Sequence, residues 1–193
     1  MSHYPLTGSQ TVGPFFSPAL LRKDACRNVL IQPETVGERI RIEGRVFDGD
    51  RLAVPDAMVE IWQANAHGRY SHTTDQRAEP LDSSFIGFGR SGTGEDGEYW
   101  FETIKPGLVP FDATSIQAPH ICVTVFARGL LNHLVTRLYF ADEPANANDP
   151  ILRCVPEDRR ATLLAQRESG DATTIYRFDI ILQGTNETVF FNW

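Results

Sequence analysis

Arg39-Ile40-Arg41-Ile42-Glu43-Gly44-Arg45-Val46-Phe47 alternates polar and apolar residues and runs into the turn Asp48-Gly49-Asp50. A period of two puts Ile40, Ile42 and Val46 on one side of an extended chain, the pattern of a strand with one face in a core. The same reading repeats outward from this stretch. Val59-Glu60-Ile61-Trp62-Gln63-Ala64 alternates before the loop Asn65-Ala66-His67-Gly68, and Glu98–Ile104 follows an Asp96-Gly97 turn and stops at Lys105-Pro106-Gly107. Ile121-Cys122-Val123-Thr124-Val125-Phe126-Ala127 is β-branched and apolar enough for a strand buried on both faces. Further strands are expected at Leu134–Phe140, Ile175–Gln183 and Thr188–Phe191.

Helix signals are sparse. Pro156 to Arg167 has Pro and acids at its start, a basic end and Gly170 soon after, which predicts a helix, and a short one is expected near Pro18–Arg22. Many strands with Gly/Pro turns argue for an all-β fold: a β-sandwich of mixed-topology strands with long loops and one or two short helices. Ser71–Ser84, Leu108–Pro119 and the first 38 residues have no strong period, and loops this long usually cover a site or an interface.

The 193 residues weigh 21.6 kDa, and a chain of this mass buries roughly 70% of its unfolded surface without metal or disulfide staples. One domain spanning 1–193 is expected. The net charge is −7, with no basic stripe, which argues against a nucleic-acid partner. No run of eighteen apolar residues offers a membrane span, and the first residues lack the basic flank and apolar stretch of a secretory signal, so a cytoplasmic setting is expected. Cys26, Cys122 and Cys154 are far apart, without a Cys-x-x-Cys pair, and are expected to be buried free thiols. His3, His67, His72 and His133 lie in expected loops and read as solvated.

Several short motifs then fall into one register. They are Glu60-Ile61-Trp62-Gln63-Ala64-Asn65, Gly68-Arg69-Tyr70, Pro80-Leu81-Asp82, Gly89-Arg90, Asp96-Gly97-Glu98-Tyr99, Thr103-Ile104-Lys105-Pro106-Gly107, Ala118-Pro119-His120-Ile121-Cys122 and Arg137-Leu138-Tyr139-Phe140. Together they resemble the intradiol ring-cleaving dioxygenases, from about Ser9 to Trp193. That family holds a non-haem Fe(III) with two tyrosinates and two histidines, and hard anionic phenolates suit a ferric ion. By the resemblance, Tyr70 takes the place of the first Tyr, after its Gly-Arg pair. The second Tyr, in a Lys-Pro-Gly-x-Tyr pattern, is replaced by Val109. The His-x-His pair reads His120-Ile121-Cys122, and the family Arg three residues before it is Gln117. The expectation is therefore that this chain binds no metal and that Tyr70, Val109, His120, Cys122 and Gln117 mark a vestigial site.

Heteromeric members of the family pair a metal-bearing β chain with a homologous α chain that lacks the metal. The resemblance makes this chain an α subunit, inactive when isolated. Its partner β subunit would hold the Fe(III), and residues 1–38 would form an N-terminal arm packing on that partner. The implied reaction is O2-dependent cleavage of 3,4-dihydroxybenzoate to 3-carboxy-cis,cis-muconate in aromatic catabolism (the β-ketoadipate pathway). Gln10-Thr11-Val12-Gly13-Pro14-Phe15, Phe126-Ala127-Arg128-Gly129 and Glu187-Thr188-Val189-Phe190-Phe191 fit the α chain. By that match Thr11, Gly13, Pro14, Phe15 and Arg128 line the shared substrate pocket, with Phe15 where a Tyr is expected. A guanidinium at Arg128 suits the carboxylate of an aromatic acid, or an acid on the partner chain. Three rivals stay open: a stand-alone dioxygenase with altered ligands, a non-enzymatic sandwich that binds small aromatics, and a purely structural subunit. On the plainest view, Tyr70 and His120 are packed polar residues, and Phe15 and Phe16 are interface core.

Overall fold

The computed structural model describes residues 7–10, 12–168 and 173–192. After a five-residue helix α1 (Phe16–Leu20) come β1 (Arg39–Phe47), β2 (Met58–Trp62), β3 (Phe88–Gly92), β4 (Glu98–Ile104), the two-residue β5 (Val109–Pro110) and β6 (Ile116–Gln117), β7 (His120–Phe126), β8 (Leu134–Phe140), β9 (Leu164–Glu168), β10 (Thr174–Arg177) and β11 (Ile180–Ile181). Antiparallel β3-β2-β7-β8 make one layer. In the other, β1 runs antiparallel to β4 and parallel to β10 and β11. Strand β9 pairs with β8 on one side and β10 on the other, joining the layers. The expected mixed-topology sandwich is what forms.

Alternation builds the core. Ile40, Ile42, Val46 and Phe101 face Val59, Ile61, Ile121, Val123, Val125 and Leu138, each at most 1% exposed and all in one cluster. The free edges of β3 and β4 are stitched together by the segment 27–30. Arg27 exchanges both backbone hydrogen bonds with Arg90 (2.8 and 3.0 Å), while the Glu102 amide donates to Asn28 O (2.8 Å) and the Leu30 amide to Glu102 O (2.9 Å). The Asn28 amide group donates to Ser91 Oγ and Trp100 O, both at 2.8 Å.

The arm also lies on its own sheet. Glu60 is fully buried on the outer face of β2 and accepts from Arg90 Nε (2.8 Å) and Nη2 (2.6 Å), from the Thr7 amide (3.1 Å) and from the Thr7 hydroxyl. Farther along the same face, Phe16 packs on Met58 and Phe126, with the Phe16 and Phe126 rings 6.0 Å apart.

Several sequence expectations are corrected. Pro156–Arg167 is not one helix: a 3-10 segment covers Glu157–Leu163, and Leu164–Glu168 is strand β9. Pairing Leu164 with Tyr139 and Ala165 with Phe140 joins the two layers, and that tertiary gain overrides local helix propensity. The strand expected at Ile175–Gln183 is interrupted at Phe178–Asp179, where Phe178 O accepts from the Tyr99 hydroxyl at 2.6 Å. A Cβ on Gly44 would sit 1.8 Å from that carbonyl, so the sheet tolerates only glycine there. Thr188–Phe191 contributes a single bridge, Phe191 to Val135, rather than a strand. Cys154 is exposed, and His133 is partly buried with its ring 5.4 Å from that of Phe126, not solvated. No described helix is long and apolar enough to cross a membrane.

Gly68 brings two long loops together. Its φ is +79°, and a Cβ there would lie 1.9 Å from Leu108 O. Gly68→Ala therefore combines a backbone clash with a left-handed φ, and a loss of about 2 kcal/mol or more is expected. Thermal melts monitored by circular dichroism should show a drop of roughly 4–8 °C for a chain of this size. An unchanged melting temperature would mean that the loop contact is not needed.

Candidate functional site

In β7 the side chains of Ile121, Val123 and Val125 enter the core, so His120 and Cys122 point to the outer face. Register sets their neighbours: His120 lies opposite Tyr139 and Cys122 opposite Arg137 on β8, while Trp62 of β2 flanks Cys122 on its other side. Two loops cover this patch. The loop after Gly68 lays Tyr70 on Trp62, ring centroids 5.7 Å apart and planes 20° from parallel. The β5–β6 hairpin brings in buried Val109, paired in register with Gln117. The structure thus assembles the five vestigial positions named from the sequence on one patch.

A polar chain runs through it. Arg137 Nη1 donates to Gln117 Oε1 at 2.7 Å and lies 3.4 Å from the Tyr139 hydroxyl. That hydroxyl donates to Asp149 Oδ1 at 3.0 Å. Asp149 is fully buried and also accepts the amides of Ala118 (2.8 Å), Ile151 (2.9 Å) and Leu152 (2.7 Å). His120 Nδ1 lies 2.8 Å from Ala118 O. A carbonyl only accepts, so Nδ1 carries the proton and Nε2 is the basic nitrogen.

Burial governs the protonation states. It pushes the His120 pKa down to about 4, with the Arg137 charge adding to the effect, so the ring is neutral at pH 7. Burial raises the Tyr70 hydroxyl well above the usual phenol range, with nearby Cys122 adding to it. The Cys122 thiol is raised for the same first reason, against the lowering effect of Arg137. This donor set does not suit a ferric ion. Val109 offers no lone pair, and the Arg137 guanidinium stands between Cys122 and Gln117. Among the described residues no three His, Cys, Asp or Glu side chains gather as metal ligands.

The proposed pocket residues lie elsewhere. Phe126 is six residues along β7 from His120, roughly 20 Å at the rise of a strand. There Gly13 O accepts the Phe16 amide at 3.0 Å, and Ser9 Oγ accepts the His133 amide at 3.1 Å, so the arm follows the β7–β8 turn. Phe15 is 84% exposed and Leu131, which the sequence did not single out, 86%. The Arg128 side chain is 64% exposed and lies 3.5 Å from its own Asp56. Thr11 lies outside the described residues. Sequence reasoning gave no role to Arg137, Tyr139 or Asp149. The alternation of Leu134–Phe140, set against His120, was the available signal for the first two.

The His120 environment sets a pH dependence. Its folded pKa near 4 lies below the ordinary 6.5, so the unfolded chain takes up the proton first. This contribution to stability is fully present above about pH 6.5 and is lost as pH falls toward 4, a change of about 3 kcal/mol. His120→Gln should flatten the fall in melting temperature over that window; parallel curves for the two proteins would contradict the assignment.

Comparison with known proteins agrees with this geometry. A family model described as dioxygenase matches residues 11–184. The chain is 45% identical to the protocatechuate 3,4-dioxygenase alpha chain of Burkholderia cepacia, over 96% of both chains. It is 39% identical to the beta chain of the same organism, over 95% of this chain and 78% of that one. The dioxygenase domain of a dioxygenase carbohydrate-binding protein fusion from Streptomyces sp. SirexAA-E superposes with a TM-score of 0.65 at 29% identity, over 92% of this chain and 97% of that domain. On sequence and architecture alike, the chain belongs to the intradiol ring-cleaving dioxygenase family, alongside its protocatechuate 3,4-dioxygenase alpha chains.

Proposed function

We propose that this chain is the metal-free alpha subunit of a protocatechuate 3,4-dioxygenase. The observation that carries the reading is the side-chain set at the family's metal positions, where Val109, Cys122 and Gln117 leave Tyr70 and His120 without the companions a ferric ion needs. The partner beta chain holds the Fe(III). The assembled enzyme inserts both atoms of O2 between the hydroxyl-bearing carbons of 3,4-dihydroxybenzoate, giving 3-carboxy-cis,cis-muconate. The three free cysteines suit a cytoplasmic setting.

This chain contributes a wall of the partner's pocket. Exposed Phe15 and Arg128 lie at the end of the sheet remote from the family's metal positions, open to a second chain. Gly13 and Pro14 shape the backbone that presents Phe15, and Thr11 precedes them in the same arm. The Arg128 guanidinium is placed to take the carboxylate of the incoming acid. Its ion pair with Asp56 favours a structural role instead.

Two measurements test this reading. Iron content and protocatechuate-dependent O2 uptake should be absent from this chain alone and present after co-expression with the beta chain; iron and turnover in the isolated chain would refute the assignment. In the complex, Arg128→Ala should raise KM about tenfold or more with kcat little changed, as expected for a lost charge-assisted hydrogen bond. An unmoved KM would place Arg128 in the framework and not in the pocket.

A further inference from the structure

Arg137 faces Cys122 across β7 and β8, and its guanidinium meets Gln117 at 2.7 Å. Gln117 is the register partner of Val109. Trp62, next to Cys122 on the other side, carries the stacked ring of Tyr70. Tyr139, the next outward residue of β8, faces His120, and its hydroxyl is 3.4 Å from Arg137 Nη1. Each family metal position is thus within a contact or a register step or two of one guanidinium. That group keeps its positive charge at any physiological pH and has only donors to offer. Its surroundings answer with acceptors: the Gln117 oxygen, the Tyr139 hydroxyl and, through that hydroxyl, the buried Asp149 carboxylate.

We propose that Arg137 is the resident cation of this site: its guanidinium stands in for the ferric ion, ties the β5–β6 hairpin to the sheet and bars metal from it. The proposal rests on the metal-free reading of this chain and goes beyond it. Loss of donors alone would leave a site that restored donors could make competent, whereas a site with its own cation stays closed to metal until that cation is removed.

Donor restoration in the co-expressed complex separates the two. Val109→Tyr with Cys122→His should bind no iron beyond that of the unmodified complex while Arg137 is kept. Adding Arg137→Gln should admit one further iron per αβ pair, with a tyrosinate-to-Fe(III) absorption band in proportion. Extra iron in the variant that keeps Arg137, or none in the folded variant that lacks it, would overturn the proposal. Should the triple variant fail to fold, Arg137→Ala alone supplies the test. Its lowered melting temperature should recover saturably with millimolar guanidinium and not with urea, the neutral molecule of the same shape. Equal recovery with both, or none with either, would overturn the proposal as well. Stoichiometric iron in this unmodified chain would instead sink the subunit assignment, so the two failures are distinct.

Discussion

A sheet that ends at β3 and β4 presents two edges of unpaired backbone groups, and the segment 27–30 ties them together by bonding to Arg90 on one side and Glu102 on the other. The closure lets two layers of unequal strand number share one dry core. It also fixes where the arm leaves the sheet. From there the chain before residue 27 lies over the outer face of β2 and β7, where Glu60 takes Thr7 and Phe126 takes Phe16. The exposed end of the arm is presented in a defined place because its root is built into the sheet.

A continuous polar relay runs beneath the family's metal positions. Arg137 and Asp149 are linked through the Tyr139 hydroxyl, and burial keeps His120 and Cys122 neutral. Such a relay gives the buried Asp149 carboxylate and the Arg137 Nη1 group partners, which favours tolerance of buried polar groups. His120 lies at one end of β7, and Phe126, under the arm, at the other.

Strands β1 and β4 were legible to the residue, because an alternation there is bounded by turn residues, and so was β8, a run rich in apolar, aromatic and β-branched residues. Strand β3 was not, since Phe88-Gly89-Arg90-Ser91-Gly92 is glycine-rich and carries no period. Its Gly89 is nonetheless needed, for a Cβ there would come within 2.9 Å of Ile61. Strand β9 was hidden by residues that favour a helix locally. At the family's metal positions, Tyr70, His120 and the altered residues were legible through motif spacing. Arg137 and Asp149 were not, because their roles depend on strand register and on a loop returning from residue 149, neither of which leaves a local mark.

Alternation in β7 and β8 has an evolutionary consequence. Inward residues such as Val123 and Leu138 bear the stability of the fold, while their neighbours Cys122 and Arg137 face the chemistry. Mutational drift on the outward set leaves the core untouched. A duplicated gene with this architecture can therefore discard an old reaction one side chain at a time while remaining a well-folded partner, and specialise in assembly without passing through an unfolded ancestor.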